Sequence, residues 1–336
     1  MAHYLVTGAA GFIGSSIARK LVVMGHKVRG IDDFSTGKVE NIAGLESSLD
    51  FRDASVLDAA ALAAACEGVD CVFHEAALPS VPKSIADPEL TNAVNVGGTL
   101  NLLIAARDAG VRRVVYAASS SAYGDSETLP KREDMAPHPI SPYAIQKLTG
   151  EYYMQVFSSV YGLETVCLRY FNVFGPRQDA NSEYSAVLAK FITQMLRGET
   201  PTIFGDGQQS RDFAYIDNAV AANLRACSAP AAEVTGRVFN IATGKRFSLN
   251  QIYQMLQGLT GFAPAPKYAS ARTGDIKHSL ADISLAQKHL GYSPEVSFEE
   301  GLKRTVEWYQ QRPTPVEAAP ALVSKSREQS ASTRWS

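Results

Sequence analysis

The sequence predicts a doubly wound α/β fold: a parallel sheet wrapped by helices on both faces, with a smaller α/β lobe attached. Three observations carry that expectation. Short β-branched runs alternate with helical patterns through the first half, a glycine cluster joins the first run to the first helix, and an aspartate ends the second run. The chain has 336 residues, enough for about two domains with full cores.

Strands are expected at Tyr4–Thr7, Lys27–Ile31, Val69–His74, Arg113–Ala117 and Glu164–Arg169, each a short apolar run rich in β-branched or aromatic residues. Between them, helical periodicity runs over Ile13–Met24, Leu57–Cys66, Leu90–Ala109 and Tyr143–Tyr161. Strand, helix, strand in this rhythm implies parallel pairing through right-handed crossovers. Val238–Ala242 reads as one more strand that rejoins the sheet late. From about Asn172 the texture changes, and loops rich in Gly, Pro and Asp separate amphipathic helices at Ala186–Arg197 and Asn250–Thr260. That sets off the smaller lobe.

Composition narrows the function classes. The chain is 46% hydrophobic and 20% charged, as ordinary globular proteins are. Its 32 Lys and Arg against 34 Asp and Glu leave a net charge of −2, so no global positive field is available to hold nucleic acid or an anionic membrane. No apolar run approaches the ~20 residues that span a bilayer, and the first residues lack the basic patch, apolar stretch and cleavage site of a signal peptide. A cytoplasmic protein is expected. Cys66, Cys71, Cys167 and Cys227 sit at no metal-ligand spacing and read as buried, reduced thiols. The histidines are scattered, and no metal is expected.

The glycine cluster is Gly8-Ala-Ala-Gly11-Phe-Ile-Gly14, between a strand and a helix. Glycines there permit a tight turn and let the backbone approach a pyrophosphate, whose charge rests on the helix N-terminus. Asp32 ends the second strand, where a carboxylate accepts hydrogen bonds from an adenosine ribose and repels a 2′-phosphate. NAD is therefore favoured over NADP. Residues 1–171, with 213–243 returning to them, are expected to form the NAD-binding domain. Residues 172–212 and 244–311 are expected to form the lobe, and the polar, aperiodic 312–336 a disordered tail.

A second constellation carries chemistry. Ser119-Ser-Ser121 follows a strand, and Ser141-Pro-Tyr143-Ala-Ile-Gln-Lys147 opens a long helix with Pro142 suited to its first turn. Tyr143 and Lys147 are spaced i, i+4 and share one face. A phenol with pKa about 10 is a poor base at neutral pH. A nearby ammonium and an oxidised nicotinamide both favour its phenolate.

Together Gly8–Gly14, Asn95-Val-Gly-Gly-Thr99, Ser119–Gly124, Tyr143-x-x-x-Lys147 and Arg169-Tyr-Phe-Asn172 resemble the extended short-chain dehydrogenase/reductases, which include nucleotide-sugar epimerases and dehydratases. The resemblance spans about residues 1–310 and implies a Rossmann-like cofactor domain with NAD kept through turnover. It places Gly8, Gly11, Phe12, Ile13 and Gly14 at the pyrophosphate, and Asp32, Asp33, Ser35, Thr36 and Gly37 toward the adenosine. Ser55 and Val56 fall near the adenine, with Asp53 the alternative in another register. Ala76, Ala77, Asn95, Tyr143, Lys147 and Tyr170 fall along the rest of the cofactor. Ser119, Tyr143 and Lys147 are the implied catalytic residues.

Several reactions in that family begin alike, with Tyr143 taking a proton from a sugar 4-hydroxyl while C4 gives hydride to NAD. Dehydratases of the family place an Asp-Glu pair after the catalytic Thr, and Ser120 and Ser121 occupy those slots here. Neither titrates near neutral pH, so 4-epimerisation through a 4-keto sugar is expected. A UDP-glucuronate 4-epimerase or decarboxylase, and a dTDP-sugar 4,6-dehydratase, are the alternatives.

For the substrate, the resemblance implies that Arg211 and Arg272 clamp a diphosphate, Thr202 and Phe204 cover uracil, and Asp275 holds a ribose hydroxyl. The stretches 177–187 and 274–283 look most like bacterial UDP-N-acetylglucosamine 4-epimerases, which make precursors of surface polysaccharides. By that likeness Ser80, Ser119, Tyr143, Asn172, Ala186 and Ser279 surround the hexose, with Ser120 and Val187 also on the substrate side. Pro79 departs from the smaller Gly of that subgroup. The family also implies a homodimer, through a four-helix bundle of Leu90–Ala109 and Tyr143–Tyr161. Val94, Leu102, Leu103, Ile104, Tyr152, Tyr153, Val156 and Phe157 are the apolar residues to spare.

Overall fold

The computed structural model describes residues 2–180, 187–271 and 277–312. Its centre is a parallel sheet of seven strands. In chain order these begin with β1 (His3–Thr7), β2 (Lys27–Asp32), β3 (Leu49–Asp53), β4 (Cys71–His74), β5 (Arg113–Ser119) and β6 (Glu164–Tyr170). The strand Arg237–Ile241 completes the sheet by pairing with β6, so the late return expected near Val238 is present. Across the sheet the order runs β3, β2, β1, β4, β5, β6 and Arg237–Ile241. The direction of winding reverses between β1 and β4, where Thr7 stands opposite His74. In doubly wound sheets that reversal opens a crevice beyond the strand ends, and ligands bind there.

β3 is the strand the sequence did not announce. Leu-Asp-Phe-Arg-Asp alternates apolar and charged residues over only five positions, and it is an edge strand kept charged by Asp50 and Arg52. The stretch expected as one helix from Leu90 to Ala109 is three pieces. Pro88–Asn92 leads into a π-turn at Ala93–Gly98, and Thr99–Asp108 follows. Such an inserted residue re-aims side chains and is frequent at functional sites. Asn95 lies within it.

Apolar clusters cover both faces of the sheet. Ile17, Leu21, Leu188, Ile192 and Phe213 belong to one, and Leu62, Leu102, Leu103, Met154 and Phe157 to the other. This corrects the expectation for the outer helix surface, since Leu102, Leu103 and Phe157 face the core. Val94 and Tyr153 also pack against it in part. The exposed apolar residues there are Leu90, Ile104, Ile145, Tyr152, Val156, Val160 and Tyr161. All four cysteines are buried with free thiols. Among the described residues no helix is long and apolar enough to cross a membrane.

The helix Pro142–Tyr161 is anchored at both ends by local chemistry. Ser141 caps its N-terminus by accepting from the Ala144 N–H, and Gly162 ends it in the left-handed conformation. In its middle Glu151 takes both arms of the Arg169 guanidinium from β6, at 2.9 and 2.7 Å. The lobe adds helices Val187–Leu196 and Leu249–Thr260 with short strand pairs, Thr202–Phe204 beside Lys267–Ala269 and Ser210–Asp212 beside Arg246–Ser248. Asp212 ties the lobe to the sheet. Its buried carboxylate accepts from Thr243 N–H and O–H, Gly244 N–H and Ala281 N–H, at 2.8 to 3.2 Å.

Candidate active site

The crevice at the β1–β4 reversal has the features a pyrophosphate needs. Gly8 adopts φ +66, and a Cβ there would stand 2.8 Å from the Ala76 nitrogen in the loop after β4. A Cβ on Gly14 would stand 2.1 Å from the Gly8 carbonyl oxygen. The helix Phe12–Val23 begins at Gly11 with no side-chain cap and no acidic residue in its first turn. Its first N–H groups and its dipole are left for an anion. Phe12 and Ile13 open that turn and are half-buried, as are Ala76 and Ala77 across the crevice.

Asp32 stands at the other end of the loop. One carboxylate oxygen accepts from Ala10 N–H at 2.9 Å and the other from Phe34 N–H at 2.8 Å, so it fixes the glycine turn as well as facing the crevice. Burial pushes its carboxyl up from the ordinary value, against those two bonds. Asp33 is exposed, and hydrogen bonds from Ser35 and Ser55 outweigh partial burial and hold its carboxyl low. Those bonds bring Ser35 and Ser55 together beyond β2 and β3, where Asp53 also ends its strand. Val56 is buried instead and packs on Gly98. Thr36 is exposed and Gly37 leans on Asp32.

Beyond β5 lies the second constellation. Tyr143 sits in the first turn of its helix, its N–H donating to Ser84 Oγ at 3.0 Å. Ser119, the last residue of β5, accepts from Ser121 N–H at 3.2 Å and Ser121 O–H at 2.9 Å. With its lone pairs engaged, the Ser119 hydroxyl is left to donate. Burial pushes the Tyr143 phenol up to about 12, and its hydrogen bond with Ser119 acts the other way. Lys147 is 4% exposed. Its ammonium lies over the Tyr116 ring, 4.7 Å from the centroid. Burial pulls it down to about 8, while Glu75, Glu151 and Cys167 favour its charged form. At neutral pH the protein therefore presents a neutral phenol and a protonated lysine.

Asn95 joins the two halves. Its amide oxygen accepts from Leu78 N–H at 2.8 Å, and its nitrogen donates to Gln146 on the Tyr143 helix at 2.8 Å. Tyr170 ends β6 and donates to Glu75 at 2.8 Å, while Asn223 donates to the Tyr170 oxygen at 2.7 Å. Glu75 was missed in the sequence. The signal was a carboxylate directly after a buried strand, in His74-Glu-Ala-Ala77, where an apolar residue is ordinary.

The substrate-side residues are more dispersed. Ser80 caps the short helix Val81–Ala86, and Ser120 starts a 3₁₀ turn. Asn172 donates to the Asp212 carbonyl at 2.9 Å. Val187 opens a lobe helix and packs on the core. Thr202 and Phe204 bound a lobe strand, and Arg211 lies on another, donating to the Ser210 and Lys277 carbonyls. Ser279 is 9% exposed, and its hydroxyl has no partner among the described residues. Pro79 is exposed beside Ser80. Ala186, Arg272 and Asp275 lie outside the described residues.

With that geometry in hand, residues 4–242 match the NAD dependent epimerase/dehydratase family. The chain belongs to that family. It is an NAD-dependent epimerase, and the bare helix start at Gly11 and the Gly8–Ala76 approach fit its cofactor. The chain is similar to the UDP-glucose 4-epimerase of Mycolicibacterium smegmatis, 40% identical over 92% of this chain and 98% of that protein. It is similar to the UDP-N-acetylglucosamine 4-epimerase of Methanobrevibacter ruminantium M1, solved in complex with UDP-N-acetylmuramic acid. That likeness has a TM-score of 0.88 and 41% identity, covering 92% of this chain and 98% of the other. The UDP-glucuronic acid 4-epimerase of Bacillus cereus, solved with UDP-glucuronic acid and NAD, superposes at a TM-score of 0.85 with 34% identity, covering 92% and 99%.

The glycine geometry gives a direct test. Gly14→Ala puts a methyl group where the Gly8 oxygen now lies, so the turn must open. Affinity for NAD is expected to fall by more than about tenfold in calorimetric titration. An unchanged affinity would contradict this placement of the cofactor.

Proposed function

We propose that the enzyme interconverts UDP-hexoses at C4, with UDP-N-acetylglucosamine and UDP-N-acetylgalactosamine as its pair and the non-acetylated glucose and galactose pair as further substrates. Ser119, Tyr143 and Lys147 carry the reaction. Ser119 donates to the Tyr143 oxygen, and Tyr143 takes the proton of the sugar 4-hydroxyl. Lys147 keeps positive charge near that phenol, which favours its ionised form. Held by the Gly8–Gly14 turn, NAD would supply a reversible hydride acceptor for sugar C4 and a positive charge in its oxidised form. Tyr143 then gives its proton back to the 4-keto oxygen once the sugar presents its other face. Gly8 to Gly14, Asp32, Asn95 and Tyr170 are assigned to the cofactor; Arg211, Thr202 and Phe204 to the nucleotide diphosphate; Ser80, Asn172 and Ser279 to the hexose.

The observation that carries epimerisation over dehydration is the pair of hydroxyls after Ser119. Ser121 spends its O–H on Ser119 Oγ, and neither Ser120 nor Ser121 offers a carboxyl for loss of water from C5 and C6. The buried Ser279 hydroxyl, without a partner among the described residues, supports the acetylated sugar, since a small side chain there leaves room and a donor for a 2-acetamido group. Incubation with UDP-glucose, UDP-N-acetylglucosamine and UDP-glucuronate, followed by NMR and mass spectrometry, tests the reading. Products of unchanged mass with inverted C4 are expected, and loss of water or CO₂ would overturn it. Ser279→Tyr should reduce turnover of the acetylated sugar at least about tenfold more than that of UDP-glucose. Equal losses would contradict the wall assignment.

The outer face of the two central helices fits a second copy of this chain. Ile145, Tyr152 and Val156 form one exposed stripe along the helix Pro142–Tyr161. Apolar residues at that spacing suit antiparallel helix packing across a two-fold axis. Tyr152→Glu with Ile145→Glu should convert a dimer to a monomer in light scattering. A wild-type protein already monomeric at micromolar concentration would contradict the proposal.

A further inference from the structure

The reaction uses Tyr143, Lys147 and Ser119, and leaves one half-buried carboxyl near them unexplained. Glu75 follows β4 directly, on the rim of the crevice: its N–H donates to the Thr7 carbonyl at 3.3 Å, and its own carbonyl carbon stands 3.0 Å from where a Gly8 Cβ would be. Asp32 marks the adenosine end of that crevice, beyond β2. Tyr143, Ser119 and Lys147 lie past β5 at the opposite end. Glu75, after β4, stands on the way to that end. Its carboxylate has a single hydrogen bond among the described residues, from the Tyr170 hydroxyl at 2.8 Å, and Asn223 holds that hydroxyl from the helix Ile216–Ser228.

Every charged or titratable neighbour can be accounted for. Glu151, on the Tyr143 helix, is locked against Arg169 of β6 by two bonds and is neutralised by it. His74, next to Glu75 on β4, sits between the Thr7 and Thr99 hydroxyls, and burial keeps it uncharged. Tyr116, Tyr143 and Tyr170 are neutral phenols and Cys167 is a neutral thiol, burial pushing each of them up. That leaves Lys147 and Glu75 as the two groups whose charges answer one another, and each favours the charged form of the other. Burial lifts the Glu75 carboxyl to about 7, against the Tyr170 hydrogen bond and Lys147.

We propose that Glu75 is a positioning residue: its negative charge, aimed by Tyr170, offsets the Lys147 ammonium and so weights the bound dinucleotide toward its oxidised state. An oxidised nicotinamide carries a positive charge that the reduced ring lacks, so a fixed carboxylate on its side of the crevice discriminates between them. An epimerase gains from this bias, because its cycle starts only from the oxidised form. The inference rests on the cofactor of the family and is independent of which sugar is turned over.

The test poises holoenzyme in a redox-mediator mixture and reads the reduced nicotinamide by its absorbance, comparing wild type with Glu75→Gln, which keeps the shape and the acceptor for Tyr170. At about pH 8, where Glu75 is ionised, the variant is expected to show an oxidised-to-reduced ratio about tenfold lower than wild type. At about pH 6, where Glu75 is protonated, the two are expected to coincide. Equal ratios at both values, or a difference that does not change with pH, would overturn the proposal. If Glu75→Gln fails to retain cofactor, Tyr170→Phe keeps the question open to measurement. Without its hydrogen bond Glu75 should ionise at higher pH, shifting the pH-dependent part of the ratio upward. An unmoved profile would overturn the proposal as well. Protein that carries no NAD at all would instead count against the cofactor assignment.

Discussion

Keeping a lysine charged in a dry place is the constraint from which the rest of the site follows. Lys147 is almost wholly enclosed, and enclosure draws its proton affinity down to about 8 even against the neighbouring negative groups that favour its charged form. Its ammonium survives at neutral pH because the Tyr116 ring lies beneath it and two carboxylates lie within electrostatic reach. One of those carboxylates is matched by Arg169, which limits the negative potential at the phenol. The phenol itself is pushed the wrong way for a base by the same burial. A neighbouring positive charge is thus a requirement of the chemistry.

The fold meets that requirement by bringing two strand ends and one helix start together. The reversal between β1 and β4 opens the crevice, the uncapped start of Phe12–Val23 gives it an anion end, and β5 delivers Ser119 at its far side. The helix Pro142–Tyr161 is set by its Ser141 cap, by Ser84 against the Tyr143 N–H, and by the Asn95–Gln146 bond from the π-turn. These contacts act on the backbone or on neutral amides, so they orient Tyr143 and Lys147 without changing the local charge. Binding and chemistry are therefore built from different elements that share one rim of the sheet.

Much of this was legible in the sequence because the signals are local. Strand and helix rhythm, the glycine turn and the i, i+4 spacing of Tyr143 and Lys147 all lie within short windows, and the structure places each where that reading expects. What escaped depends on contacts far apart in the chain. β3 is a five-residue edge strand too short to stand out from its surroundings, and the break at Ala93–Gly98 combines the Gly97–Gly98 pair with the bonds of Asn95 to Leu78 and Gln146. Leu102, Leu103 and Phe157 looked available for a partner because apolar residues on a helix do not declare which face is inside. Glu75, Tyr170 and Asn223 meet from three elements, and no spacing rule unites them.

The central claim is that charge around Tyr143, rather than the phenol alone, makes the base. Ultraviolet titration of tyrosinate in the NAD-loaded enzyme, against Tyr143→Phe as the reference, measures it directly. A Tyr143-dependent step should occur below about pH 10, the ordinary phenol value, and should move to higher pH in Lys147→Met. Absence of any such step below that value, or a step that Lys147→Met leaves in place, would contradict it.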